Sequence, residues 1–328
     1  MKAIIYTKYG SPDVLELKEV AKPALQDDEV LVKIHATTVN RTDCATVRAK
    51  PFFMRIVTGL FKPKKQTPGT EFAGEVVAVD KNVSSLKVGD RVFGFDDEGT
   101  ESQAQYMAIP EDKVVTIPDN LSYKQAAPSF EGAHYAYNFI NKVNLHPGQT
   151  VLVNGTTGAI GSAAVQLLKH FNVNVTAVCA TKNIELVKSL GADRVIDYQK
   201  NDFTKDKKKY DLVLDAVGKS SFFKCQHLLK SGGIYMSSDL GFMAQNLFLP
   251  LITPIIQPII DRKTVIFPNP TNIRGSLLLI KSLIEQDKFK AVIDREFPLE
   301  QIAKAYKYVE QGHKTGNVVI TVEHSDKT

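Results

Sequence analysis

The chain has 328 residues, 43% of them hydrophobic, and a formal net charge of +5. That length suits two domains, each able to bury a core. The lysines are scattered and their densest cluster, "KDKKKY" at 205–210, reads as a solvated loop, so a nucleic-acid partner is not expected. Three widely spaced cysteines, Cys44, Cys179 and Cys225, suit a reduced, cytoplasmic setting and not a disulfide framework.

The first residues alternate like a strand and turn at Gly10-Ser11-Pro12, without the apolar core of a secretory signal. No run of about 18 apolar residues suggests a membrane span; the nearest, 247–260, is broken by Pro250, Pro254 and Pro258. Up to about residue 122 the chain reads as short β-branched strands, "EVLVKIHATTVN", "GEVVAVD" and "DRVFGF", separated by Pro and Gly-Asp turns. One helical stretch, "CATVRAKPFFMRIVTGLF", is interrupted by Pro51. From Ser122, a plausible N-cap, the rhythm changes to helices alternating with apolar strands. That alternation predicts βαβ units and a parallel sheet, followed by a strand–helix–strand tail ending in "TGNVVITV".

Within the alternating half, "VLVNGTTGAIGSAAVQLLKHF" sets Gly155, Gly158 and Gly161 between a strand and a helix. A bare glycine triplet is a weak signal, but this placement matches the dinucleotide fingerprint. Gly158 would let the backbone approach a pyrophosphate, and Gly161 would let the helix pack closely on the strand. The N–H groups of the helix start would bind phosphate oxygens. Thr157, Ala159 and Ile160 complete this turn, and Val217, closing the later apolar strand "YDLVLDAV", is a further cofactor candidate. The strand that would carry an acid for a ribose 2′-hydroxyl reads "VTAVCATKN", with no carboxylate from Val175 to Asn183. Thr181 and Lys182 suit a 2′-phosphate instead, with Tyr198 flanking the adenosine end. The expected cofactor is therefore NADPH.

With those residues in place, the chain resembles the zinc-independent quinone oxidoreductases of the medium-chain dehydrogenase/reductase superfamily. The likeness covers nearly its whole length, most specifically in "GDRV" and "GTTGAIGSAAVQ". It implies an α/β fold with a GroES-like β-rich catalytic domain, residues 1–122 completed by 290–328. A Rossmann domain with a doubly wound parallel sheet then takes 123–289. It also implies NADPH-dependent hydride transfer to quinones or to the activated C=C bonds of α,β-unsaturated carbonyls, with homodimerisation through an edge strand near 264–267. The zinc-dependent branch has a Cys where this chain has Asn40, and a His where it has Thr70. A carboxamide and a hydroxyl are poor zinc ligands, and "FGFDDEGTESQAQYM" lacks the cysteines of a structural zinc lobe, so no metal is expected.

Without a metal, positioned donors would stabilise the developing oxyanion. Asn40 is the first candidate, towards the nicotinamide ribose or the substrate oxygen; the competing reading is a turn asparagine capping "NRTD". Asp43 would fix that turn. Thr70 could donate a hydrogen bond, as could Tyr135, although burial on a helix face explains His134 and Tyr135 equally. Asn317 matches a family position that approaches the cofactor. The apolar stretches 52–61 (with Phe52, Phe53, Met54, Leu60 and Phe61) and 241–260 (with Phe242 to Leu249) are either core or the border of an entrance for lipophilic substrates. Two rival functions stay open: an NADPH-dependent carbonyl or alcohol oxidoreductase, and a non-enzymatic NADPH-binding structural or regulatory protein.

Overall fold

A computed structural model describes residues 1–324 apart from Phe53, Phe242, Met243 and Asn269. It resolves into two compact units, 1–131 with 272–328, and 132–271.

The first unit opens with β1 (Lys2–Ile5) and β2 (Glu16–Glu19), an antiparallel pair. The long β3 (Glu29–Val39) follows, its even positions from Val30 to Ala36 fully buried as the alternation predicts. Helix α1 (Arg41–Arg48) begins directly after it, and the short α2 (Met54–Thr58) lies beyond Pro51, which cannot continue a helix. Strands β4 (Glu71–Val79), β5 (Arg91–Phe95), β6 (Tyr106–Pro110) and β7 (Val114–Thr116) come next. Helix α3 (Tyr123–Ala126) starts at Ser122, whose hydroxyl accepts from the N–H of Gln125, and α4 (Glu131–Ile140) leads into the second unit.

That unit carries β8 (Thr150–Asn154), α5 (Ala159–His170), β9 (Asn174–Cys179), α6 (Ile184–Ser189), β10 (Arg194–Asp197) and β11 (Tyr210–Asp215). It ends with α7 (Phe222–Cys225), β12 (Leu229–Ser237), α8 (Gln245–Ile252) and β13 (Thr264–Ile266). The sheet runs β10-β9-β8-β11-β12-β13, with every pairing parallel. Strands buried on both faces need continuous apolar runs, which "VLV" in β8 and "LVL" in β11 supply. Leu152, Val178, Val213, Tyr210, Phe222 and Tyr235 form its core. The order reverses between β8 and β11, and the space beyond their carboxyl ends is where such sheets bind ligands.

The chain then returns to the first unit through α9 (Ile273–Glu285), β14 (Ile293–Pro298), α10 (Ile302–Glu310) and β15 (Asn317–Thr321). Strand β15 pairs antiparallel with β3, Val318 opposite Val39, so the last strand completes the first sheet. Tyr306 and Val309 of α10 join Ile34, Phe72, Val76 and Ile320 in one buried cluster. Each such side chain contributes roughly 1.5–3 kcal/mol by leaving water.

Candidate functional site

In the second unit the glycine turn has three distinct causes. Gly155 sits at φ +82°, and a Cβ there would meet Val217 at 2.2 Å, so both conformation and space require glycine. A Cβ on Gly161 would lie 2.1 Å from the carbonyl oxygen of Gly155, so its absence lets α5 pack against the turn. Gly158 is different. Its φ is −74°, and the nearest atom to an added Cβ is 3.9 Å away, so nothing in the protein requires glycine there. The space a Cβ would fill is open at the start of α5, whose first N–H groups precede any intrahelical acceptor. This cradle fits a pyrophosphate. Thr157, Ala159 and Ile160 border it, each half-buried. Thr156, which the motif reading passed over, pins the turn to β9 through Oγ1 donating to the carbonyl of Val178 at 3.0 Å. On the other side, Asn154 Nδ2 donates to Asp215 Oδ1 at 3.0 Å and joins the ends of β8 and β11.

Thr181, Lys182 and Tyr198 come together at the ends of β9 and β10. Asp197 pairs with Cys179, and the Tyr198 N–H donates to the Cys179 carbonyl at 3.1 Å. Lys182 and Tyr198 are exposed. The parallel register also brings in an acid that lies on the neighbouring strand and not on β9. Asp197 is buried, and its Oδ2 accepts from Thr181 Oγ1 at 2.5 Å while its Oδ1 accepts from the Gln199 N–H at 3.0 Å. Its carboxylate is thus engaged by the turn that carries Lys182.

The first unit holds a buried polar cluster at the junction of β3, α1, β4 and α4. The Asn40 N–H donates to Asp43 Oδ2 at 2.7 Å, which fixes the start of α1. Asn40 and Asp43 form a capping box at this helix start, but the Asn40 side chain makes no capping hydrogen bond: its Nδ2 lies 2.9 Å from Glu71 Oε1 and 3.1 Å from Glu131 Oε2. Thr70 Oγ1 donates to Glu131 Oε2 at 2.5 Å, and Thr42 Oγ1 to Glu131 Oε1 at 2.6 Å. Glu71 accepts from Thr38 Oγ1 at 3.0 Å, and from the N–H groups of Phe130 at 3.1 Å and Glu131 at 2.9 Å. Asn40 and Thr70 therefore share one carboxylate, Glu131, which sequence reasoning missed. Its only signal was an acid at a helix start inside the apolar run "AAPSFEGA".

Burial and the neighbouring Glu131 carboxylate push the Glu71 carboxyl up to about 8, against the four hydrogen bonds donated to it. Asp43 is likewise held well above the usual carboxylate range by burial and by Glu131. Half-buried Lys314, lowered by desolvation, is the cation facing these acids, and its Nζ donates to the Gly316 carbonyl.

Asn317 lies one position beyond the Val318–Val39 pair, level with Asn40. Its Nδ2 donates to the Val292 carbonyl at 3.1 Å. The Oδ1 atoms of Asn40 and Asn317 are both buried without a hydrogen-bond partner. Two such acceptors are costly in an apolar interior and suit a ligand with hydroxyl or amide donors. Tyr135 belongs to the second unit, half-buried on α4, with its ring 5.6 Å from that of His134. His134 is buried and desolvation lowers its imidazole to about 4, so it is neutral near pH 7. Phe53 and Phe242 lie outside the described residues. Phe52, Leu60 and Phe61 are exposed, which removes the core reading for them. Among the described residues, no group of three His, Cys, Asp or Glu side chains is placed to hold a metal ion, and no helix is long and apolar enough to cross a membrane.

Two family descriptions match the chain: "Alcohol dehydrogenase GroES-like domain" over 26–119 and "Zinc-binding dehydrogenase" over 190–320. The chain is 35% identical to a 2-methylene-furan-3-one reductase of Solanum lycopersicum over 98% of its length and 79% of that protein's. It is 31% identical, over 98% of its length and 79% of the relative's, to a chloroplastic NADPH-dependent alkenal/one oxidoreductase of Arabidopsis thaliana. The solved quinone oxidoreductase of Coxiella burnetii superposes with a TM-score of 0.84 at 25% identity, covering 98% of this chain and 99% of that one.

Proposed function

We propose that this chain, which belongs to the zinc-independent, quinone-oxidoreductase-like branch of the medium-chain dehydrogenase/reductase superfamily, uses NADPH to reduce quinones or the activated C=C bonds of α,β-unsaturated carbonyls. Its membership makes it a nicotinamide-dependent oxidoreductase; the substrate class, the preference for the phosphorylated cofactor and the residue roles are our reading. The observation that carries it is the closed network around Asn40 and Thr70, whose donors are spent on the Glu71 and Glu131 carboxylates. A site with hydrogen bonds in place of a Lewis acid suits acceptors that are already electron-poor, more than it suits saturated carbonyls.

The bound nicotinamide would supply the hydride. The open space at Gly158 and the N–H groups of the first turn of α5 hold the pyrophosphate, bordered by Thr157, Ala159 and Ile160. Val217 covers Gly155, while Thr181, Lys182 and Tyr198 take the adenosine end, with the Lys182 ammonium on the 2′-phosphate. Asn40 and Asn317 accept from the ribose or carboxamide through their unpartnered Oδ1 atoms. Tyr135 donates to the developing oxyanion of the substrate. Strand β13, the sheet edge, serves a homodimer, and three free, buried cysteines fit a cytoplasmic setting.

NADPH oxidation followed against 2-alkenals, enones, quinones and saturated ketones tests this. Turnover with the electron-poor acceptors alone, surviving dialysis against a strong chelator, is the expected result. Turnover confined to saturated carbonyls would make the chain a carbonyl reductase, and no turnover with any acceptor would make it a binding protein.

A further inference from the structure

Between Asp43 and Glu71 the sequence contains no acid, while Arg48, Lys50, Arg55, Lys62, Lys64 and Lys65 are all cationic. The two flanking acids are buried in the cluster described above. Arg48 is neutralised by Glu310, but Lys50, Lys62 and Lys64 are exposed and form no ion pair among the described residues. In the middle of this basic stretch lies an apolar tip. Phe52 is 70% exposed, Ile56 75% and Phe61 88%, with Val57 and Leu60 also exposed.

The tip is held in place from below. Tyr9 Oη donates to the Gly59 carbonyl at 2.7 Å and lies 2.9 Å from Thr58 Oγ1, and the Arg55 guanidinium sits 5.2 Å from the centre of the Tyr9 ring. The Gly59 N–H returns to the Arg55 carbonyl at 3.0 Å, and the Lys64 N–H to the Thr58 carbonyl at 2.8 Å. A fixed base and a greasy, unpacked top cost free energy in water unless something apolar covers the top.

Three coverings can be weighed. A wall of a substrate pocket would be partly buried by its neighbours, whereas Phe61 is almost fully exposed. A second copy would bring one basic rim against another across a two-fold axis, which like charges oppose. An anionic lipid surface offers both an apolar interior for the phenyl and isoleucyl groups and headgroup charge for the lysines. We infer that residues 50–52 and 54–65 dock the protein peripherally on an anionic membrane surface, with Phe52, Ile56 and Phe61 entering the headgroup–acyl boundary and Lys50, Lys62 and Lys64 pairing with lipid phosphates or carboxylates. This holds whichever electrophile the enzyme reduces.

Co-sedimentation of the full chain with vesicles tests it, comparing pure phosphatidylcholine with phosphatidylcholine containing roughly a third phosphatidylserine. The protein should pellet with the anionic vesicles only and be released at about 0.5 M salt, where charges are screened within a few ångströms. The double variant Phe52→Ser, Phe61→Ser should lower partitioning about tenfold or more. Lys62→Glu with Lys64→Glu should abolish it, and both variants should keep the wild-type circular dichroism and cofactor affinity. No sedimentation with anionic vesicles, equal sedimentation with neutral ones, or a double-Ser variant that partitions like wild type would each overturn the assignment. So would a wild-type dimer that the double-Ser variant converts to monomer in light scattering, since a second copy would then be the covering.

Discussion

Thr70 Oγ1 donates to Glu131 Oε2 at 2.5 Å, the same oxygen that faces the Asn40 amide at 3.1 Å. One carboxylate thus orients both Asn40 and Thr70. Glu131→Ala would leave the buried Thr70 hydroxyl and the half-buried Thr42 hydroxyl without this acceptor, while the Asn40 amide keeps Glu71, and should cost about 2–4 kcal/mol of stability. In Glu131→Gln the Thr42 and Thr70 hydroxyls can rotate to suit the new amide, so the fold should survive with little change in Tm. If Asn40 is a positioned group, kcat should fall about tenfold in the Gln variant while the KM for NADPH moves little. An unchanged kcat would reduce Glu131 to a structural partner.

Glu71 supplies a pH signature. Its ordinary value is 4.5 and in the folded chain it is pushed up to about 8, so the folded state holds this proton more tightly than the unfolded one. The stability it contributes is complete below about 4.5 and is lost as pH rises through about 8. His134 works in the opposite sense. Its folded value of about 4 lies below its ordinary 6.5, so its contribution is present above 6.5 and is lost as pH falls through 4. The two windows overlap between about 4.5 and 6.5, where the contributions offset, so Tm should be level there, falling as pH rises from about 6.5 to 8 and as it drops from about 4.5 to 4. Glu71→Gln should remove the fall above about 6.5 and turn the level stretch between about 4.5 and 6.5 into the rise that His134 alone gives, which thermal melts across the range would read directly.

How much of this was readable in the chain differs with distance along it. The glycine turn was legible because strand, glycines and helix are contiguous in 151–171. Glu131 was not, because it reaches Asn40 across 91 residues and only the packing of the segment 123–129 against β3 and β4 brings the two together. Asp197 was missed for a related reason. The acid expected on β9 is absent, but parallel pairing sets the end of β10 beside Cys179. The segment 52–61 was ambiguous because apolar composition alone does not separate core from exposed surface.

Asp197 bears on cofactor choice. Thr181 Oγ1 holds the Asp197 Oδ2 at the turn that carries Lys182, and on our reading it is the Lys182 ammonium that meets a 2′-phosphate. Lys182→Ala should raise the KM for NADPH by roughly 10- to 100-fold, equivalent to losing a charge-assisted contact of about 1.5–3 kcal/mol, and leave that for NADH nearly unchanged. Thr181→Ala should release the carboxylate and lower the KM for NADH. Equal changes for both cofactors in both variants would remove this pair from the adenosine site.

The glycine turn can be tested one position at a time. Gly158→Ala places a methyl group where the nearest protein atom is 3.9 Å away, at an ordinary φ of −74°. The fold should tolerate it, with Tm within a degree or two of wild type, a change of only a few tenths of a kcal/mol. Gly161→Ala drives its methyl to 2.1 Å from the Gly155 carbonyl oxygen, a backbone atom that cannot swing aside. That variant should lose roughly 1–3 kcal/mol through forced separation of α5 from the turn. If the open space at Gly158 is a phosphate cradle, titration with NADPH should show Gly158→Ala weakened tenfold or more despite its intact Tm. The opposite pattern, a Gly158→Ala protein that binds NADPH as wild type does, would mean that the glycine spacing serves packing alone and that the pyrophosphate lies elsewhere.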